Sequence, residues 1–166
     1  MQTNKWSIAA LNGLLLALVT IVVTLIQTVL SPGTAIIWLL WLLKLIGSLG
    51  LLYYFIKDYA KTQDLFTYKD GFRFGFMVSL LSSLICACYL FMHYAVIFPD
   101  SMAAQLEQIS AAIQSSNPDG TEIFDKIGGK MPQIISVFSL FYYTVFGIIA
   151  SSIIANYTKK GDIFTE

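Results

Sequence analysis

The 166 residues are 57% hydrophobic and only 12% charged, with a mean hydropathy of +0.71. A water-soluble domain carries about a quarter charged residues, so this chain has too little polar surface to be one, and lipid is the expected solvent of its outer face. Ten basic and ten acidic side chains cancel, which excludes the basic excess of a nucleic-acid binder and the acidic tail of a solvating segment.

A bilayer core about 30 Å thick needs about 20 apolar residues in a helix. Four stretches meet that need: residues 8–30, 35–56, 71–98 and 133–157. The first, entered at Lys5 and Trp6, is longer than the apolar core of a signal peptide. It ends at Ser31-Pro32-Gly33 without a small-residue cleavage site, so it is expected to be retained as a membrane helix. Ser31-Pro32-Gly33-Thr34 is turn chemistry, in which Pro fixes φ and Gly accepts a positive φ. The second run therefore returns antiparallel to the first and closes on the interfacial aromatics Tyr53-Tyr54-Phe55. Lys57 to Asp70 form a polar connector, and the third run stops at Pro99.

Residues 99–132 are the one sizeable outer loop. Asp100 is placed to N-cap a helix whose Met102, Leu106, Ile109 and Ile113 share one face. That face is expected on the outer membrane surface or against the ends of the spans. Ser115 to Gly120 would break this helix, and a short piece, Thr121 to Ile127, would end at Gly128-Gly129. Pro132 suits the first turn of the last span. The expected fold is all-α: one integral membrane domain over residues 1–166, a four-helix transmembrane bundle with an amphipathic extramembrane helix between spans three and four.

Orientation follows from the basic residues of the short loops. Lys5, Lys57, Lys61, Lys69, Arg73, Lys159 and Lys160 flank one side, and only Lys126 and Lys130 the other. This asymmetry places both termini in the cytoplasm of a bacterial inner membrane, with the 99–132 loop outside.

Helices in lipid associate by close packing, which small residues at four-residue spacing permit. The third span carries Gly71, Gly75, Ser79, Ser83 and Ala87; the fourth carries Gly147, Ser151 and Ala155; the first carries Ala9, Gly13 and Ala17. The stripes imply a compact antiparallel bundle or, alternatively, a homodimer through the third helix.

Chemistry is sparse. Cys86 and Cys88, two apart, point to different faces and read as buried structural thiols rather than a disulfide or metal pair. His93, the lone histidine, has no ligand companions at helical spacing and reads as a satisfied side chain near the outer interface. Nucleophile elbow, phosphate loop, zincin and dinucleotide motifs are all absent. No enzyme and no cofactor are expected.

The costly residue is Lys44, about ten residues into the second span. A charge there costs about 2.5–3.5 kcal/mol on insertion scales, and no Asp or Glu lies in any span. Three readings stand. Lys44 snorkels to the outer face, or it is held by Asn12, Thr20, Thr24 or Gln27 of the first helix. In the third it faces a polar cavity, an anionic headgroup or a partner's carboxylate. The basic and aromatic residues from Lys57 to Arg73 suit anionic headgroups as well as marking topology.

Lys57-Asp58-Tyr59, then Leu65-Phe66-Thr67-Tyr68-Lys69-Asp70-Gly71-Phe72-Arg73-Phe74-Gly75, with Pro99-Asp100 closing the helix, resembles a bacterial membrane family known as domain of unknown function 4199. The resemblance covers nearly the whole chain and implies four spans and a larger outer loop before the last. It implies no reaction and no catalytic residue. The expected role is non-enzymatic and acts through helix–helix or helix–lipid contacts. The bilayer is the expected partner, alongside a second copy or another membrane protein. The alternative is a small transporter or lipid-handling accessory subunit serving a membrane glycosyltransferase, which would need a cavity lined by Lys44, Asn12, Gln27 or Ser83.

Overall fold

A computed structural model describes residues 4–116 and 127–160. In chain order the helices are α1 (Lys5–Leu30), α2 (Thr34–Lys61), α3 (Tyr68–Met92), α4 (Pro99–Ser116) and α5 (Met131–Thr158), and a π-helical turn, His93–Ile97, carries α3 toward α4. Four of them, with the third continuing to Ile97, are long and apolar enough to cross a membrane. The fold is a helical bundle of four such spans plus α4; the end of the bundle that carries α4 and the α1–α2 turn is called its outer end, and the opposite end its inner end. The break at Ser115 to Gly120 reaches beyond the described residues after its first two positions, and the piece Thr121 to Ile127 lies outside them up to its last residue.

The helices overrun the apolar runs because their polar ends find their own caps. Asn4 Oδ1 accepts the Trp6 backbone N–H at 3.3 Å and starts α1. Beyond Ile56, α2 continues for another turn to Lys61, a cation suited to the negative end of the helix dipole and paired with Asp58 at 3.3 Å. Thr67 and Asp70 form a reciprocal capping box at the start of α3. The connector is therefore shorter than its polar sequence suggests.

Two expectations about turns need correction. The left-handed residue after α1 is Ser31 (φ 40°), whereas Gly33 sits at φ −61° as the N-cap of α2. Pro32 disfavours the right-handed helical region for the residue before it, and at φ 40° the Ser31 N–H still reaches the Gln27 carbonyl at 3.2 Å. Asp100 lies inside the first turn of α4 instead of capping it, because Pro99 occupies the opening position that needs no N–H partner. On α4 itself Met102 is buried and Leu106 half-buried, while Ile109 is 44% exposed. Along Met102, Leu106 and Ile109 the cover supplied by the chain falls off with distance from the start of the helix.

Helix α3 is the centre, packed most extensively against α5 and α1. Its whole small-residue row, Gly71, Gly75, Ser79, Ser83 and Ala87, is buried. The α3–α5 register is antiparallel and regular in steps of four. Gly71 meets Ala155, Gly75 meets Ser151, and Ser79 meets Gly147. A Cβ at Gly75 would lie 2.7 Å from Ser151 Oγ, and one at Gly71 3.2 Å from Ala155 Cβ. Toward the outer end the row continues through hydroxyls: Ser83 Oγ and Thr144 Oγ1 are 2.8 Å apart, and Ser136 Oγ donates to the Ala87 carbonyl at 2.8 Å. On the other flank Gly13 lets α1 run parallel to α3, with space for only a hydrogen between it and the Val78 carbonyl, 3.0 Å from a built Cβ. Since α5 covers the row within one chain, a second copy would have to meet a different face.

At the inner end an aromatic plug closes the bundle. Tyr59 and Phe74 stack at 4.0 Å between centroids, with Phe66 edge-on to Tyr59 at 6.0 Å. Phe66 is held there by a two-way backbone bridge to Lys160, at 2.8 and 3.3 Å. Tyr59 and Phe66, read from sequence among headgroup-facing aromatics, are buried instead, so the connector's basic residues face outward without them.

Candidate functional site: a cavity around Lys44

Helix α2 is buried only in its inner half, where Leu52, Phe55, Ile56, Tyr59 and Ala60 pack. Nearly every residue from Gly33 to Leu43 is exposed. The outer half of α2 thus stands away from α3 and α5. Where it departs, a cavity of about 100 Å³ opens between α2 and α5, floored by α1 and α3. Trp41 and Tyr142, 43% and 51% exposed, are lining residues that also reach the outer surface, and we take them as its mouth.

Lys44 lines this cavity and is half-buried. Its Nζ lies 5.6 Å from the centroid of the Tyr143 ring, a cation–π contact across from α2 to α5. The side chain therefore turns into the bundle rather than snorkelling. Among the described residues no carboxylate pairs with it and no hydrogen bond reaches it; of the hydroxyls that share the cavity, Thr20 comes from α1, Ser48 from α2, and Ser79 and Ser82 from α3. Ser79 is only 4% exposed, and its Oγ is buried without a hydrogen-bond partner. A buried hydroxyl left unmatched costs about 1–3 kcal/mol, so this wall carries one unmet donor and one unmet cation.

Of the first-helix polar residues read from sequence as companions of Lys44, only Thr20 lines the cavity with it. Asn12 and Gln27 lie along α1 about two turns either side of Thr20, each about 10–12 Å away by helical rise, and neither forms part of the wall. Ser83 belongs to the α3–α5 contact through Thr144. Ser79 serves both the packing row and the cavity. Ser48, Ser82 and Tyr143 gave no sequence signal beyond their spacing, since what selects them is the divergence of α2 from α5.

The second polar cluster lies near the outer ends of α1 and α3. His93 is fully buried, with Thr28 Oγ1 2.9 Å from Nε2 and the Tyr89 hydroxyl 3.0 Å from Nδ1. A neutral imidazole has one donor and one acceptor, and two hydroxyls match either tautomer. His93 also packs on the rings of Tyr94 and Phe98, each 4.9 Å between centroids. Cys86 is buried against the Ala17 carbonyl, but Cys88 is exposed on the outer side of α3, which corrects the reading of both thiols as buried. Two-residue spacing puts them on different faces, and only one face is covered. Among the described residues no cluster of three His, Cys, Asp or Glu could hold a metal.

Four apolar spans around a central small-residue seam, with one lysine lining a cavity between them, define a multi-pass helical membrane protein. The chain belongs to the family DUF4199, described as protein of unknown function, whose model matches residues 11–160. No curated protein and no solved structure matches it.

Proposed function

We propose that this protein is a non-enzymatic component of the bacterial inner membrane, both termini cytoplasmic, that acts through helix–lipid contacts by holding a lipid-phase ligand between α2 and α5. The observation that carries the reading is the divergence of α2. Its inner half is packed, its outer half is exposed, and the cavity so formed has two large aromatics at a mouth on the bundle's flank. Ligand pockets form where packed elements separate, and a mouth on the flank of a spanning bundle faces acyl chains. The cavity favours the lipid-handling half of the alternative over transport. Of Lys44, Asn12, Gln27 and Ser83, only Lys44 lines it, and a single lysine among apolar and aromatic side chains suits the head of one lipid better than a polar path.

Native mass spectrometry of the protein released from mild detergent tests this reading. A one-to-one amphiphile adduct is expected, and Ser48→Phe, which places a ring in the cavity, should remove it. An absent adduct, or one equally abundant in Ser48→Phe, would count against a ligand in this cavity.

Orientation is supported by the basic asymmetry of the loops. In a Cys86→Ala, Cys88→Ala background, a membrane-impermeant maleimide added to intact cells should label Gly33→Cys and leave Asp64→Cys unlabelled until the cells are broken. Gly33 and Asp64 are both exposed, in turns at opposite ends of α2. The reverse pattern would invert the topology.

A further inference from the structure

We propose that the cavity is an anion-recognition site within the membrane, in which Lys44 and Ser79 bind the oxyanion head of a single-chain amphiphile whose tail leaves between Trp41 and Tyr142. The proposal rests on the lipid-ligand reading above and adds the chemistry of the ligand's head.

Two independent features of the wall ask for the same ligand. Lys44 brings an ammonium with three donors and no acceptor to a place about ten residues, or roughly 15 Å, from the start of α2. The face of Tyr143 meets it there, and among the described residues no carboxylate does. Ser79, a wall residue from a different helix, brings a hydroxyl that is without a partner and packed against Gly147, so that it meets the head by turning toward the cavity. A cation and an unmet hydroxyl lining one cavity are the donor set for a carboxylate or phosphate oxygen, and charge-assisted bonds to such oxygens are the strong ones.

The source of the anion follows from what the chain lacks. Residues 8–30, 35–56, 71–98 and 133–157 contain no Asp or Glu, so a second copy cannot bring a carboxylate to this depth. A free ion would have to cross hydrocarbon to reach a mouth on the flank, whereas an acyl tail carries its head there. Size agrees with this. An engineered apolar cavity of about 150 Å³ takes a benzene, so about 100 Å³ takes one oxyanion head and the first methylenes but not a diacyl headgroup. Tyr143 and Thr20 complete the wall around the head, and Trp41 stands beside the tail.

The experiment uses the full chain in phosphatidylcholine vesicles, with Trp6→Phe and Trp38→Phe leaving Trp41 as the reporter. Three probes share one dibrominated C18 chain: the fatty acid, the alkyl phosphate and the alcohol. Saturable quenching of Trp41 by the two anions is expected at concentrations at least about tenfold below that of the alcohol, since losing a buried charge partner costs a tenfold or more. Lys44→Met should erase the preference, Lys44→Arg should retain part of it, and Ser79→Ala should weaken both anions and leave the alcohol unchanged. The ratio of fatty acid to alkyl phosphate identifies the head. Equal binding of alcohol and anions, or a preference that survives in Lys44→Met, overturns the anion site. If that equal binding is saturable and lost in Ser48→Phe, the lipid pocket stands without it. No saturable quenching by any probe overturns both. Displacement of the anions by millimolar inorganic phosphate alone overturns the lipid origin of the head. Lys44→Arg keeps the test open should Lys44→Met fail to insert.

Discussion

Gly147→Leu and Gly75→Leu should each lower the thermal stability of the protein in detergent more than any other single substitution along the seam. A Cβ at Gly147 would fall on the Cβ of Ser79, and one at Gly75 would lie 2.7 Å from Ile56 Cδ1 and 2.9 Å from Ser151 Cβ. Ile56 Cδ1 can swing aside, but the Cβ atoms of Ser79 and Ser151 are fixed to rigid helices, so the helices themselves must separate. Overpacking of a tight interior costs about 1–3 kcal/mol and occasionally more. A seam that relies on backbone approach belongs at the upper end of that range, because van der Waals contact is what holds helices together in lipid. Gly50→Leu is the control, since nothing lies within 4 Å of a Cβ built there. Melting unchanged in both seam variants would mean that α3 and α5 do not approach as closely as their small residues allow.

That seam was legible in the sequence, and the reason is physical. Spacing of four places Gly71, Gly75, Ser79, Ser83 and Ala87 in one line on a helix, and small residues in a line have few uses other than close approach. The partner was less legible. Three helices carried such stripes, and only the structure shows that those of α1 and α5 both serve α3, one parallel and one antiparallel. Spans were legible to within a few residues because hydropathy measures the hydrocarbon core. Helix ends were not, because Lys61, Thr67 and Asp70 extend helices into polar sequence by capping and pairing.

The candidate site was half legible. Lys44 stood out because a charge within an apolar run is costly, whatever its surroundings. The rest of the wall depends on a rigid-body fact, the departure of the outer half of α2 from α5, and no local pattern encodes such an angle. Asn12, Thr20, Thr24 and Gln27 are all polar groups on the neighbouring helix, but polarity alone does not fix which face or depth a residue occupies. Thr20, in the same helix, has both the face and the depth.

His93 supplies the second large effect. Its ring joins α1 to α3 through Thr28 and Tyr89, and it sits where α3 gives way to the π-helical turn leading to α4. Replacing it with alanine leaves a hole among the rings of Tyr94 and Phe98 and removes both hydrogen bonds. Large-to-small core changes cost about 2–5 kcal/mol, and hydrogen bonds between membrane helices average about 0.6 kcal/mol with a maximum near 1.7. His93→Ala should therefore destabilise the protein by about 3–5 kcal/mol. Thr28→Val, which keeps the shape and removes one bond, should cost about 0.6–1.7 kcal/mol. Thr24→Val should be near neutral, because the Thr24 hydroxyl donates only to the Thr20 carbonyl of its own helix at 2.8 Å. Combining Thr28→Val with His93→Ala should cost less than the sum of the two, since both remove the same bond. Unfolding of the four variants in a graded detergent mixture measures these differences. Strict additivity of the pair, or a Thr24→Val loss equal to that of Thr28→Val, would show that the histidine does not tie the outer ends of the two helices together.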